Sequence, residues 1–105
     1  MVDRLAMLQR MVETRSDDPF PRYGLAMEHR GRGDVAAATA TFEALLERFP
    51  NYVPAYLMFG QMVRDAGDAT RAGDVFDRGM KVALEVGDHH AYGELREARQ
   101  SLEHV

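Results

Sequence analysis

Apolar residues recur three and four positions apart along almost the whole chain, and no stretch alternates apolar and polar residues for long. An α-helix has about 3.6 residues per turn, so this spacing places the apolar side chains on one face of a helix. The pattern therefore predicts an all-α protein. Its interruptions divide the chain into about six helices, and the short loops between them force neighbouring helices to run antiparallel.

Glycine followed by aspartate marks three of the predicted corners, at Gly33–Asp34, Gly67–Asp68 and Gly87–Asp88. Glycine adopts the left-handed turn that ends a helix, and aspartate accepts a hydrogen bond from the first turn of the next helix. Asp18 before Pro19 predicts another helix start, and Asn51 is the predicted cap of the fourth helix. The predicted helices span residues 3–15, 19–32, 35–49, 52–66, 69–86 and 89–103.

The predicted buried faces of the three central helices hold most of the large apolar side chains. The third helix contributes Ala38, Phe42, Leu45 and Leu46. The fourth contributes Tyr56, Leu57, Phe59, Gly60 and Val63. The fifth contributes Ala72, Val75, Phe76, Met80 and Leu84.

The chain also repeats itself. Arg30, Gly33, Asp34, Ala38 and Phe42 recur thirty-four residues later, without a gap, as Arg64, Gly67, Asp68, Ala72 and Phe76. A period near 34 residues is typical of antiparallel helix pairs that stack on further pairs. The repeat divides the single domain of residues 1–105 into an N-terminal helix (1–18), repeat 1 (19–52), repeat 2 (53–86) and a C-terminal capping helix (87–105).

This pattern resembles the tetratricopeptide repeat family. The residues that match the small and aromatic positions of its motif are Ala26, Ala38, Phe42, Gly60, Ala72 and Phe76. Pro50 matches the proline of the motif, but Leu84 replaces it in repeat 2, so the fifth helix can continue to Val86. The resemblance implies an α-solenoid, in which helix–turn–helix units stack in a right-handed superhelix.

Small residues allow two helices to approach closely. Ala26 is expected to face Ala38, and Gly60 is expected to face Ala72. Gly79 stands in the interior of the fifth helix, where glycine is less favourable than alanine by about 1 kcal/mol. Close helix approach is the predicted reason for this glycine.

In this family the first helices of successive units line a concave face, and the resemblance implies that a partner binds there. The residues carried over to that face are Phe20, Tyr23, Met27, Arg30, Leu57, Met58, Gln61, Arg64, Tyr92, Leu95 and Arg99. Methionine adapts to varied apolar groups, and tyrosine offers a large contact area. The competing interpretation is structural, since apolar stripes at helical spacing are more often core than site.

Arg30 and Arg64 occupy equivalent places one repeat apart, so both are expected to point into the groove and together bind a carboxylate. The alternative is that acidic neighbours neutralise them, as Asp65 can do for Arg64. Family members that clamp a C-terminal carboxylate use lysine and asparagine where this chain has Tyr23, Met27 and Met58. The resemblance therefore favours an internal peptide segment or a folded partner.

The composition further limits the classes of function that the chain can have. The 105-residue chain has no cysteine and a formal net charge of -4, which excludes thiolate chemistry and disfavours nucleic acid as a partner. No apolar run is long enough for a signal peptide or a membrane span. His89 and His90 are adjacent and so point about 100° apart on a helix, which predicts an exposed pair rather than metal ligands. We expect no catalytic residues, no metal and no cofactor.

The sequence thus predicts a non-catalytic, cytoplasmic protein-interaction module or adaptor that binds a peptide segment or partner protein in the concave groove. A self-associating assembly protein, a homo-oligomer formed through exposed terminal helices, is the alternative. A charge asymmetry would suit head-to-tail contact between copies, because the N-terminal third is relatively basic. The residues responsible are Arg4, Arg10, Arg15, Arg22, Arg30 and Arg32.

Overall fold

The computed structural model describes residues 3–104. Within that range the protein has six α-helices and no strand. The helices are α1 (Arg4–Thr14), α2 (Pro19–Gly31), α3 (Val35–Arg48), α4 (Pro54–Asp65), α5 (Ala69–Val86) and α6 (His89–Ser101), followed by one turn of 3₁₀-helix at Leu102–His104. The all-α prediction is confirmed.

Two compact units make up the chain. The N-terminal unit ends at Phe49 and contains α1, α2 and α3, with α2 packed against both α1 and α3. The C-terminal unit begins at Pro50 and contains α4, α5 and α6, all three of which contact one another.

The three glycine–aspartate corners form as predicted. Gly33, Gly67 and Gly87 have backbone φ angles of 77°, 95° and 77°, in the left-handed region that favours glycine. Asp34, Asp68 and Asp88 each cap a helix by accepting a hydrogen bond from the backbone N–H three residues later, at 3.1, 3.0 and 3.0 Å. Local residue chemistry therefore sets where these helices begin and end.

Replacing one of these caps gives a direct measure of its contribution. We expect Asp68→Ala to lower the free energy of unfolding by about 1 kcal/mol, because the Arg71 N–H loses its acceptor. Urea unfolding followed by circular dichroism measures this loss. Asp74→Ala, an exposed position inside the same helix, is the matched control and should change stability by less than about 0.5 kcal/mol. Equal losses in the two variants would contradict the capping role.

The start of α4 differs from the prediction. Asn51 is exposed and lies outside the helix, and the N-cap is Val53, which makes no side-chain capping bond. Pro54 takes the first helical position, where its missing N–H and fixed φ angle suit a helix start. The segment before it is held by the Tyr56 hydroxyl, which donates a 2.6 Å hydrogen bond to the Pro50 carbonyl oxygen.

Buried apolar residues in the N-terminal unit follow the prediction closely. Ala38, Phe42, Leu45 and Leu46 of α3 are all buried, as is Ala26 of α2. On the other side of α2, a Cβ added at Gly24 would lie 3.2 Å from the Cδ2 atom of Leu8 in α1. The glycine therefore lets α1 lie close to α2.

Two glycines allow close packing in the C-terminal unit. A Cβ added at Gly60 of α4 would lie 2.2 Å from the nearest Phe76 ring atom, so the ring of α5 covers the bare backbone of α4. The predicted pairing of Gly60 with Ala72 stays a prediction, and Ala72 is fully buried in α5. A Cβ added at Gly79 would lie 2.6 Å from the Cβ of Tyr56 and 3.1 Å from the Cδ1 of Leu95. The predicted role of Gly79 in close helix approach is confirmed.

Two predictions concern the C-terminal end of α5; one is confirmed and the other is wrong. The helix continues to Val86 as expected. Leu84, which was predicted to face the core, is 52% exposed. The reason is length, since α5 has 18 residues and α4 only 12, so the last part of α5 has no counterpart in its partner helix.

Candidate partner-binding site

A groove in the C-terminal unit runs between α4 and α6 and has a volume of about 290 Å³. We call it the α4–α6 groove. Its α4 wall is formed by Leu57, Gln61 and Arg64, which are four and three residues apart and so share one helix face. All three belong to the predicted binding residues, and the structure brings them together. Met58, predicted with them, is half-buried and is not among the residues that line the groove.

The α6 wall of the groove is formed by residues that the sequence interpretation missed. They are Glu94, Glu97, Ala98 and Ser101, whose spacing of three, one and three residues forms a single helical stripe. The predicted α6 residues lay one position later in the sequence, at Leu95 and Arg99. One residue corresponds to a rotation of about 100° on a helix, so the predicted stripe was on a different face.

Leu95 fixes the rotation of α6. Its side chain is 1% exposed and packs beside Gly79 of α5, so it is a core residue and cannot contact a partner at the surface. With Leu95 facing inward, Glu94 and Ala98 turn toward α4. Arg99 turns toward α5, where its guanidinium lies against Gly73. Leu95 is therefore removed from the candidate site.

Arg99 and Tyr92 also lie outside the α4–α6 groove. The Nε of Arg99 is 3.0 Å from the Oδ1 of Asp77, so the cation is paired with an acidic residue of α5. Tyr92 is half-buried in the first half of α6. Neither of these two predicted residues lines the groove, and Arg99 is directed toward α5.

The different rotation of α6 could have been recognised from the sequence, by comparing α4 with α6 at the period of thirty-four residues. The position of Gly60 is occupied by Glu94, and the position of Gln61 is occupied by Leu95. A buried glycine is thus replaced by a charged residue and a groove amide by an apolar one. Both exchanges indicate that α6 presents a different face from α4.

The charges in the groove are unequal. The Nε and Nη2 atoms of Arg64 each lie 3.2 Å from the Oδ1 of Asp65, which confirms that this carboxylate partly neutralises the arginine. Glu94 lies 3.3 Å from the Nε2 of His90. Glu97 adds a second carboxylate to the same wall. The groove therefore presents more negative than positive charge to an occupant, which favours a cationic group.

In the N-terminal unit, the predicted residues form a stripe along α2. Phe20 is 65% exposed, and Tyr23, Met27 and Arg30 are half-buried. Burial raises the pKa of the Tyr23 phenol, and the nearby positive charge of Arg30 partly offsets that effect. The phenol is therefore protonated at neutral pH and remains a hydrogen-bond donor on this stripe.

Metal binding and membrane insertion have no support in residues 3–104. Nowhere in that range do three or more His, Cys, Asp or Glu side chains cluster in a way that could hold a metal ion. His89 and His90 are both exposed at the start of α6, as predicted. No helix in the same range combines the length and apolar character needed to cross a membrane.

Comparison with known structures identifies the fold family. A tetratricopeptide repeat domain protein from Salinibacter ruber is 35% identical to this chain in both its crystal and its solution NMR structure, with TM-scores of 0.76 and 0.79. Each match covers 84% of this chain, and 98% and 89% of the respective structures. The chain belongs to the tetratricopeptide repeat family.

A third structure supports the same fold for this tetratricopeptide repeat protein. The solution structure of a Bordetella parapertussis protein matches 99% of this chain and 90% of its own, with a TM-score of 0.83 and 23% identity. No family model matches the sequence. The predicted resemblance and the predicted all-α helical repeat are confirmed by the solved structures. Tetratricopeptide repeat proteins are protein-interaction modules in general and typically non-catalytic.

Proposed function

We propose that this chain is a non-catalytic interaction module that binds a peptide segment of a partner protein in the α4–α6 groove. The observation that supports this most is the meeting of Leu57, Gln61 and Arg64 with the α6 wall around one open groove. The groove combines apolar surface with an amide, a hydroxyl and charged groups. Mixed surfaces of this kind suit recognition of a polypeptide, in which side chains and backbone both need partners.

The chemistry of the groove specifies the occupant. Leu57 and Ala98 offer apolar surface to one side chain of the peptide. Gln61 can donate hydrogen bonds to the peptide backbone or accept them. The Ser101 hydroxyl donates to the Ala98 carbonyl oxygen at 2.6 Å and can accept a hydrogen bond from a peptide N–H. Glu97 together with Glu94 favours a lysine or arginine in the peptide. The proposed ligand is therefore a segment with an apolar residue close to a basic one.

The stripe on α2 offers a second surface for a partner. Phe20 is the most exposed large apolar residue of the described chain, and an exposed aromatic ring is a common anchor in protein interfaces. Tyr23 and Met27 extend the apolar surface by two helical turns. Arg30 ends the stripe with a positive charge, which suits a larger protein partner with an acidic residue.

We propose no cofactor, metal, nucleic acid or membrane as a partner of this chain. The chain has no cysteine, and its formal net charge of -4 disfavours nucleic acid as a partner, because phosphate binding needs clustered positive charge. A cytoplasmic location is part of the proposal, since a chain without cysteine fits a reducing compartment.

Selection of peptides from a phage-displayed library against the purified chain tests the proposal. We expect the selected peptides to contain lysine or arginine near an apolar residue. Glu97→Lys should weaken their binding at least about tenfold, because a hydrogen bond to a charged group contributes about 1.5–3 kcal/mol and each 1.4 kcal/mol is a factor of ten. Fluorescence anisotropy with a labelled selected peptide measures the affinity.

The matched control is Glu85→Lys, which makes the same charge change at an exposed position of α5 outside the groove. Its affinity for the peptide should stay within about twofold of that of the unmodified chain. An equal loss in both variants would show that overall charge, rather than the groove, governs binding. Unchanged affinity in Glu97→Lys would remove the groove from the proposed function.

A further inference from the structure

A second groove in the C-terminal unit has no part in the proposed peptide site. It lies between α5 and α6 on the other side of Leu95 and has a volume of about 320 Å³. We call it the α5–α6 groove. Gly73 forms its floor, and the guanidinium of Arg99 lies across this glycine, with its Cζ 3.2 Å from the place a Cβ would take. Asp77 pairs with Arg99 and so holds it in position.

The rim of this groove is acidic and partly apolar. Asp74 and Glu103 are exposed carboxylates on its two sides, and the half-buried Leu102 adds an apolar contact. Arg99 supplies the one guanidinium among the described residues that line the groove, and it is already paired with Asp77. A complementary occupant is therefore a helix that carries apolar and basic side chains together.

The repeat period assigns each helix a place in a helix pair. Helices α2 and α4 are the first helices of their pairs, and α6 aligns with them at the period of thirty-four residues. Helices α3 and α5 are second helices, and α1 aligns with them through Leu8 and Met11, which precede Phe42 and Leu45 by one period.

Helix α1 has the side chains that the α5–α6 groove requires. Met7 is 42% exposed, and Arg10 and Arg15 are exposed basic residues of the same segment. Met11 is half-buried beside them. The apolar and basic character of α1 thus complements the apolar and acidic character of the groove.

We propose that the α5–α6 groove receives helix α1 of a second copy of this chain, in a head-to-tail contact. The contact places α1 of one copy against α5 and α6 of the next. Because two different surfaces meet, the contact is heterologous and extends into rings or open chains rather than closing as a twofold dimer. The peptide-binding groove on the other side of Leu95 stays open.

The lack of cysteine in the chain makes site-specific cross-linking a clean test. Met7→Cys places one thiol on the exposed side of α1, and Thr70→Cys places one on the rim of the groove, where Thr70 is exposed. We expect a mixture of the two variants to give a covalent dimer of twice the 11.8 kDa chain mass when treated with a short bismaleimide. Met7→Cys mixed with Lys81→Cys, an exposed position of α5 outside the groove, should give little.

Three results would overturn the proposal. Equal cross-linking to Thr70→Cys and to Lys81→Cys would indicate random collision. A dimer formed by Met7→Cys alone, as strong as that of the mixture, would indicate a symmetric contact between two α1 helices. A light-scattering mass of 11.8 kDa for the unmodified chain up to millimolar concentration would show that it does not self-associate.

A variant that fills the α5–α6 groove tests the same contact without changing a core residue. Thr70→Trp changes an exposed residue and fills the groove, so the mass of this variant should fall to that of the monomer at concentrations where the unmodified chain associates. Lys81→Trp adds the same side chain outside the groove and should associate normally. An unchanged mass in Thr70→Trp would place the contact elsewhere. Circular dichroism of both variants verifies that the helices are intact.

Discussion

Gly79→Ala is expected to lower the free energy of unfolding by about 2 kcal/mol, although alanine is the better helix former. The added Cβ would lie 2.6 Å from the Cβ of Tyr56 and 3.1 Å from Leu95. The Tyr56 Cβ is bound directly to the backbone of α4, so relief requires α4 and α5 to move apart. Overpacking of a core costs about 1–3 kcal/mol and occasionally more, and we expect a cost near 3 kcal/mol because a Cβ fixed to the backbone cannot move aside. The gain in helix propensity of about 1 kcal/mol reduces the net loss to about 2 kcal/mol.

Gly93→Ala is the matched control, because Gly93 lies inside α6 and a Cβ there would meet nothing within 4 Å. This variant should gain up to about 1 kcal/mol from helix propensity alone. Urea unfolding of both variants, with thermal unfolding as a second measurement, compares them. In a domain of this size, 1 kcal/mol corresponds to a shift of about 4–8 °C in Tm. Stabilisation of both variants would contradict close approach at Gly79.

The sequence predicts the ends of helices better than it predicts their rotation. The corners at Gly67–Asp68 and Gly87–Asp88 depend on the residues at the corner itself, through the left-handed glycine and the capping carboxylate, and both were predicted correctly. The start of α4 was missed at Asn51 because two helix-start signals compete there. Pro54, with its fixed φ angle, determines the outcome.

Because helix rotation is harder to predict than helix ends, only part of the candidate site was predicted. Leu57, Gln61 and Arg64 lie on a helix whose rotation follows the motif of the family, so their common face could be assigned from spacing. The rotation of α6 depends on a tertiary contact, the packing of Leu95 beside Gly79. Spacing along the chain does not contain that contact, and Glu97 was therefore missed.

Phe76→Ala is expected to have the largest effect of any single substitution considered, a loss of about 3–5 kcal/mol in the free energy of unfolding. The side chain is fully buried, and its ring covers the backbone of α4 at Gly60. Truncation would remove the ring and leave a cavity above the glycine. The neighbouring groups cannot fill it, because Gly60 has no side chain to extend into the space. Phe→Ala substitutions in cores have this magnitude.

Phe20→Ala makes the identical change at a phenylalanine that is 65% exposed, and it should alter stability by less than about 0.5 kcal/mol. Denaturant unfolding of both variants gives the difference, and the slope of each transition shows whether the unmodified and variant chains unfold with similar exposure of surface. A small loss in Phe76→Ala would mean that α4 and α5 close over the cavity. Because Gly60 already allows the two backbones to lie close together, we expect little room for that closure and a cost near the upper end of the range.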